Sequence, residues 1–245
     1  MKTAFFLWYN FFKGEIDMEY GNMVEARFLR RVNRFTAFVE LNGQEEMVHV
    51  KNTGRCKELL LEGARVFLEE ADKEGRKTKY SLIAVYKGEM LVNMDSQAPN
   101  QMAAEALTEG KIKEIGEVDL LKREVKYGNS RFDLYYQKDG QKGFIEVKGV
   151  TLEEDGIAKF PDAPTERGAK HLRELIKAKE EGYEAAVLFV IQMKGVKEFR
   201  PNEERDKNFT AALKEAAAAG VKILAYDCGV ELGKVWIEEK IPVVL

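Results

Sequence analysis

The sequence predicts two modules: an all-β barrel, followed by an α/β unit built on a mixed sheet. Three observations predict it. Residues 23–95 carry short β-rich runs separated by turn signals. Residues 101–227 alternate apolar strands with helical stretches that end at glycine. Within this second stretch, NSRFDLYYQKDGQKGFIEVK (residues 129–148) reads as one tight β-hairpin turning at Asp139-Gly140.

In chain order, residues 24–29 and 36–41 are the first strands, with Asn42-Gly43 as a turn. A short strand at 47–50 leads into the loop Lys51-Asn52-Thr53-Gly54-Arg55, and 57–61 is expected to form a helical turn or two before Gly63. Strands at 64–70, 80–86 and 90–94 complete the module, and five or so short strands with one inserted helix suggest an OB-type barrel. Pro99-Asn100 is the expected junction, giving modules at 18–97 and 98–245. An Ala-rich helix follows at 101–107, then a strand near 120–126 and the hairpin. Phe160-Pro161-Asp162-Ala163-Pro164-Thr165 is a rigid lead-in to a helix that either Asp162 or Thr165 could cap. Ala169, Leu172, Leu175, Ile176 and Lys179 give that helix an amphipathic pattern ending at Gly182. A strand at 185–192, a helix at 209–219 and a strand at 221–227 close the pattern.

Composition bounds the function. The 245 residues are 45% hydrophobic and 33% charged, as in ordinary globular proteins, and the net charge of −3 gives no global basic field. Cys56, Cys228, His49 and His171 lack the spacing of a zinc site or disulfide framework, which fits a reducing cytoplasm. The apolar run at 4–12 is too short to span a bilayer and lacks a small-residue cleavage site. Residues 1–17 read as an upstream extension before Met18 and Met23, with a signal peptide as the weaker reading.

The hairpin carries the chemistry. A two-residue loop at Asp139-Gly140 pairs Lys138 with Gln141 and sets Asp133 opposite Glu146. Alternation puts Lys148 on the face of Glu146, and Ile145 and Val147 on the other. Opposed residues have Cβ atoms roughly 4.5–5.5 Å apart, and like charges there are destabilising. A divalent cation between the carboxylates, Mg²⁺ or Mn²⁺, is the expected remedy. The plain alternative is a pair of solvated surface acids, but apolar residues on both faces of 144–148 argue for an interior strand. The same register sets Arg131 against Lys148, a like-charge pair that implies neighbouring carboxylates, a phosphate, or a longer turn.

Three groups of residues resemble the sugar fermentation stimulation protein A family. They are Asn33-Arg34-Phe35 with Lys51-Asn52-Thr53-Gly54-Arg55-Cys56, then Asn129-Ser130-Arg131-Phe132-Asp133 with Glu146-Val147-Lys148, and then 160–165 with 167–175. The resemblance covers nearly everything from Met18 to the region of Cys228. It implies an OB-like amino-terminal domain joined to a PD-(D/E)xK restriction-endonuclease-like α/β domain, and binding to double-stranded DNA. Two features depart from the pattern: residues 1–17 fall outside it, and Phe132 stands where the nuclease signature has proline.

Under this resemblance Asp133, Glu146 and Lys148 are the candidate catalytic residues, and Asp133 and Glu146 the metal ligands. The nuclease class often draws a third acidic ligand from a preceding helix; Glu105 is the candidate, with Glu124 its competitor. His171 and Glu174 share a helix face, with a DNA-facing or hydrogen-bonded role expected for His171. Candidate DNA contacts are Arg27, Arg30, Arg31, Arg34, Lys51, Arg55, Arg131, Arg167 and Lys170. Four arginines within eight residues exceed what barrel folding needs, while Phe38 is expected in the core and Phe35 is a core or stacking residue. Two functions follow: a metal-dependent DNA nuclease, or a non-cleaving DNA-binding regulator of sugar metabolism on a nuclease fold. Binding is expected through phosphates with little sequence specificity, without a membrane partner, and with a homodimer left open. No sugar-binding aromatic platform supports a carbohydrate enzyme.

Overall fold

The computed structural model describes residues 18–71, 75–128 and 130–245, so the expected extension at 1–17 lies outside them. Strands β2 (Met23–Arg31), β3 (Thr36–Leu41), β4 (Gln44–Val50), β5 (Arg65–Glu70), β6 (Tyr80–Lys87) and β7 (Met90–Asn93) form one sheet in the order β4-β3-β2-β5-β6-β7. A parallel pairing of β4 with β6, Val48 to Tyr80 through Val50 to Leu82, closes β2–β6 into a barrel. Alternation supplies its interior: Ala26, Phe28, Ala37, Val39, Val48 and Val50 are buried while their neighbours face outward. Asn42 and Gly43 both take positive φ, 53° and 76°, as a tight hairpin turn requires.

The inserted helix expected at 57–61 is absent. Leu59 and Leu60 donate to the Cys56 carbonyl in hydrogen-bonded turns, and the buried Leu59 plugs the barrel instead. Five residues that begin beside a positive-φ Cys56 offer too few intrahelical bonds to offset nucleation.

The second module centres on a seven-stranded sheet. Its members are β1 (Met18–Glu19), β8 (Leu120–Tyr127), β9 (Ser130–Lys138), β10 (Gln141–Val150), β13 (Glu184–Ile191), β15 (Lys222–Glu231) and β16 (Lys234–Lys240). They run in the order β1-β16-β15-β13-β10-β9-β8, with β13 parallel to both β10 and β15 and the other pairs antiparallel. β13 is buried on both sides, which explains its unbroken apolar run. Helix α1 (Ala98–Thr108) covers one face; α2 (Glu166–Glu180) and α3 (Lys207–Ala218) cover the other. A small sheet of β11 (Leu152–Glu154), β12 (Ile157–Phe160) and β14 (Glu198–Pro201) lies beside them.

Two boundaries move. Pro99 sits in the first turn of α1, where its missing N–H is not needed, so the helix starts at Ala98 rather than at the expected residue 101. Met18 and Glu19 pair with Val235 and Lys234 in the large sheet, so the barrel proper starts at β2. The modules share buried polar contacts: Gln192 Nε2 donates to Asn93 Oδ1 (2.8 Å) and to the Asp95 carbonyl (2.9 Å), and Asn93 N donates to the Gln192 carbonyl. One apolar core runs from the barrel residues Val39 and Val66 to Phe189 and Phe209 under α2 and α3.

Candidate active site

The β9–β10 hairpin turns at Asp139 (φ 49°) and Gly140 (φ 79°), and its register follows the expected one from Lys138–Gln141 to Leu134–Ile145. There the ladder stops. Asp133 replaces a backbone pair with its side chain: Oδ2 accepts from Val147 N at 2.8 Å and Oδ1 from Asn100 Nδ2 at 2.9 Å. Phe132 packs in the core under α2 and Leu134 in the core under α1, although residues two apart on a regular strand share a face. Alternation therefore slips at Asp133. Opposite it on β8, Glu124 stands between the pairs Arg123–Leu134 and Val125–Phe132 with a φ of 55°. This irregularity also removes the expected Arg131–Lys148 clash, since Arg131 is exposed, pairs with Lys126 on β8, and lies 3.6 Å from Glu124.

Glu146 is 2% exposed, a costly place for a carboxylate. Its Oε1 receives Lys148 Nζ at 2.5 Å and Nδ1 of the buried His171, which projects from α2. Its Oε2 is buried and has no hydrogen-bond partner. Arg167 Nε approaches His171 Nε2 at 3.4 Å, an arrangement met by the imidazole tautomer that carries its proton on Nδ1 and donates it to Glu146. Burial, then the charge of Glu146, raises the Asp133 carboxyl above its ordinary range, against the Val147 N–H and Lys148. Burial also pushes Glu146 upward, but the His171 hydrogen bond and Lys148 outweigh it and hold Glu146 below the usual range.

Local sequence explains the convergence. Gly149 follows Lys148 because a Cβ there would meet both Pro99 Cγ and Gln192 Oε1 at 2.7 Å. The start of α1 can thus descend onto β10 and bring Asn100 to Asp133. On α2, Thr165 is the N-cap, accepting from Gly168 N at 3.0 Å, and this sets the first turn that carries Arg167 and His171. Asp162, the other capping candidate, accepts from Arg55 N of the barrel loop at 2.8 Å.

The remaining candidates disperse. Glu105 accepts from Gln101 Nε2 at 2.9 Å, and the α1 residue that reaches Asp133 is Asn100. Among the described residues no group of three or more His, Cys, Asp or Glu is arranged to hold a metal ion. Arg31 is a structural residue, contrary to the expectation that barrel folding spares all four arginines. Its guanidinium donates to the carbonyls of Asn33, Arg34, Asn52, Gly54 and Arg55. Arg30 is clamped by Glu45 through two 2.7 Å bonds and lies over the half-buried Phe38 at 4.4 Å, which places Phe38 on the outer surface rather than in the core. Lys51 is tied to Glu69 and Asp95, and Arg27 reaches the Gly63 carbonyl. Arg34, Arg55, Arg131, Arg167 and Lys170 are exposed.

Sequence reasoning missed Asn100, which it placed at a junction. Reading Pro99 as a first-turn proline would have put Asn100 on α1. The His171–Glu146 contact had no local signal.

An OB barrel joined to a mixed-sheet α/β domain, with Asp133, Glu146 and Lys148 gathered at one hairpin, defines the class: a two-module OB-plus-α/β protein. Two family models match this chain, the SfsA N-terminal OB domain over residues 29–94 and the sugar fermentation stimulation protein RE domain over residues 97–234. The chain belongs to the sugar fermentation stimulation protein (SfsA) family. It is 54% identical over 231 residues to the sugar fermentation stimulation protein homolog of Alkaliphilus oremlandii, covering 92% of this chain and 98% of that one. The homolog of Clostridium beijerinckii is 53% identical over 228 residues, covering 93% and 100%. Among solved structures, SfsA of Pyrococcus furiosus in complex with Ca²⁺ matches with a TM-score of 0.84 at 29% identity, over 94% of this chain and all of that one. Among the described residues no helix is long and apolar enough to cross a membrane.

Proposed function

We propose that this is a cytoplasmic DNA-binding protein that hydrolyses phosphodiester bonds with a divalent cation held by Asp133 and Glu146. The observation that carries this reading is Glu146 Oε2, a buried carboxylate oxygen without a partner, beside a second carboxylate that is ionised only at a cost. Such a donor pair fits a hard cation, Mg²⁺ or Mn²⁺. The Pyrococcus relative, solved as a complex with Ca²⁺, supports a divalent ion on this fold. When bound, the ion would acidify a water and polarise a phosphate oxygen.

The protein's own groups do the rest. Asn100 and the Val147 N–H orient Asp133, while His171 and Lys148 hold Glu146 ionised and turned so that Oε2 stays free. The Lys148 ammonium is also the cation nearest the pair for charge developing on a phosphate. Arg167 and Lys170 on α2, Arg131 on β9, and Arg34 and Arg55 on the barrel offer exposed charge for the backbone of double-stranded DNA. None is arranged for base-edge readout, so binding would be salt-dependent and weakly sequence-specific.

One observation favours a non-cleaving DNA-binding regulator of sugar metabolism: the Lys148 ammonium is committed to Glu146 Oε1. Linear, circular and branched DNA incubated with Mg²⁺, Mn²⁺ or EDTA, beside Lys148→Ala and Glu146→Gln, decides between them. Cleavage that needs metal and is lost in both variants is the expected result, with Mn²⁺ affinity of Glu146→Gln reduced tenfold or more. Tight binding without cleavage on any substrate selects the regulator, and unchanged Mn²⁺ affinity in Glu146→Gln removes the metal assignment.

A further inference from the structure

The tip of the β2–β3 hairpin combines features the active site does not use. Phe35 is 54% exposed and Val32 59% exposed, yet the tip is tightly built. Phe35 N donates to Asn33 Oδ1 at 2.8 Å, Val50 N to the Phe35 carbonyl at 2.9 Å, and Val32 N and Asn33 N to the Thr36 carbonyl. The Arg31 guanidinium sits behind the tip and binds it to the loop 52–55 through carbonyls of both segments. Carbonyls do not neutralise its charge. Among the described residues no carboxylate forms a salt bridge with Arg31, Arg34 or Arg55, and the latter two are exposed on either side of the junction that Arg31 makes. Phe38, by contrast, is covered by Arg30, whose charge is spent on Glu45.

We propose that this tip is a base-stacking contact, so that the preferred ligand is DNA with unpaired bases beside duplex, such as a tailed or branched end. The inference rests on the DNA-binding reading and narrows its ligand. A hydrogen-bonded tip that exposes an aromatic ring, with Arg34 next to it in sequence and Arg31 joining it to the loop of Arg55, none of the three in a salt bridge among the described residues, suits a polyanion whose own aromatic faces are accessible. Phosphates meet the arginines, and a base meets Phe35. Bases inside intact duplex are stacked on each other and closed to a surface ring. A rigid tip also lowers the ordering cost of the contact. A series of contacts leads from the loop of the tip to the hairpin site. Asp162 accepts from Arg55 N, Thr165 caps α2 three residues later, and Arg167 of its first turn touches His171 on Glu146.

Fluorescence anisotropy with a labelled single strand, a blunt duplex and a tailed duplex of matched sequence tests this, with EDTA present so that cleavage plays no part. The wild type should bind the single strand and tailed duplex more tightly than the blunt duplex. Phe35→Ala should lower those two affinities about five- to a hundredfold and leave the blunt duplex nearly unchanged. Phe35→Trp should keep the preference, and single strand should quench its emission. Phe35→Ala binding all three ligands as the wild type does, or a wild type without preference for unpaired bases, overturns the stacking contact while DNA binding stands. A wild type that binds none of the three overturns DNA binding itself.

Discussion

Asp133 and Glu146 are neighbours pushed in opposite directions. Asp133 is raised by burial and by the charge of Glu146; Glu146 is lowered because His171 and Lys148 outweigh its burial. The two make opposite contributions to stability. Glu146 stabilises the fold above its unfolded pKa, and that contribution is lost as pH falls through its depressed folded value. Asp133 binds its proton more tightly folded than unfolded, so its contribution declines as pH rises from the unfolded to the raised folded value. Asp133→Asn should therefore raise the melting temperature of the metal-free protein at neutral pH, each kcal/mol appearing as about 2–4 °C. It should also abolish the thermal shift produced by Mn²⁺. A variant that melts lower than the wild type in EDTA would show that the ionised Asp133 is not a strained group. Glu146 and Lys148 on one face of β10 were legible in the sequence because a two-residue turn sets the parity of that strand. The slip of alternation at Asp133 was not legible, since Asn100 of α1 and the Val147 N–H each hold one oxygen of the carboxylate, and helix docking leaves no mark in a strand pattern.

At the scale of elements, strands were legible where turn residues bracketed alternating or unbroken apolar runs, as in β3, β10 and β13. The small sheet of β11, β12 and β14 was not, because its strands span only three or four residues and β12 pairs with β14 across the intervening α2 and β13, even though β11 and β12 are joined by a local turn at Asp155-Gly156. The segment 57–61 misled because Leu59 satisfies the barrel interior without a helix. Arg31 shows how much a loop can owe to one side chain. Its planar fork serves carbonyls in two segments, a task the single ammonium of lysine cannot repeat. Arg31→Lys should destabilise the protein by about 2 kcal/mol or more, read from the urea midpoint, since hydrogen bonds to charged groups are worth about 1.5–3 kcal/mol each. A midpoint within error of the wild type would mean that the loop 52–55 is held by its other contacts.

For the whole molecule, the modules have separate sheets but share the larger of two apolar cores. Apolar contact passes without a break from the barrel to the residues beneath α2 and α3, and Gln192 satisfies Asn93 and Asp95 across the boundary. Calorimetry should accordingly show a single cooperative transition rather than a barrel that melts alone. Gln192→Ala removes one donor from each of Asn93 Oδ1 and the Asp95 carbonyl, which keep the Asp95 and Ala98 N–H groups, at a cost of about 0.5–1.5 kcal/mol per lost hydrogen bond. Two resolved transitions in the wild type would contradict the shared core. The sequence pattern announced two modules and could not announce how firmly they are joined, because Gln192 reads simply as the end of an apolar strand.

The joint itself has a consequence for variation. Asp162 grips the main-chain N–H of residue 55, and Arg31 grips main-chain carbonyls of residues 33, 34, 52, 54 and 55. The side chains at 34, 35 and 55 are not asked to hold anything together. They form an exchangeable cassette on a fixed mount. Their identities can drift, or be redesigned, to suit a new ligand without re-engineering the scaffold beneath.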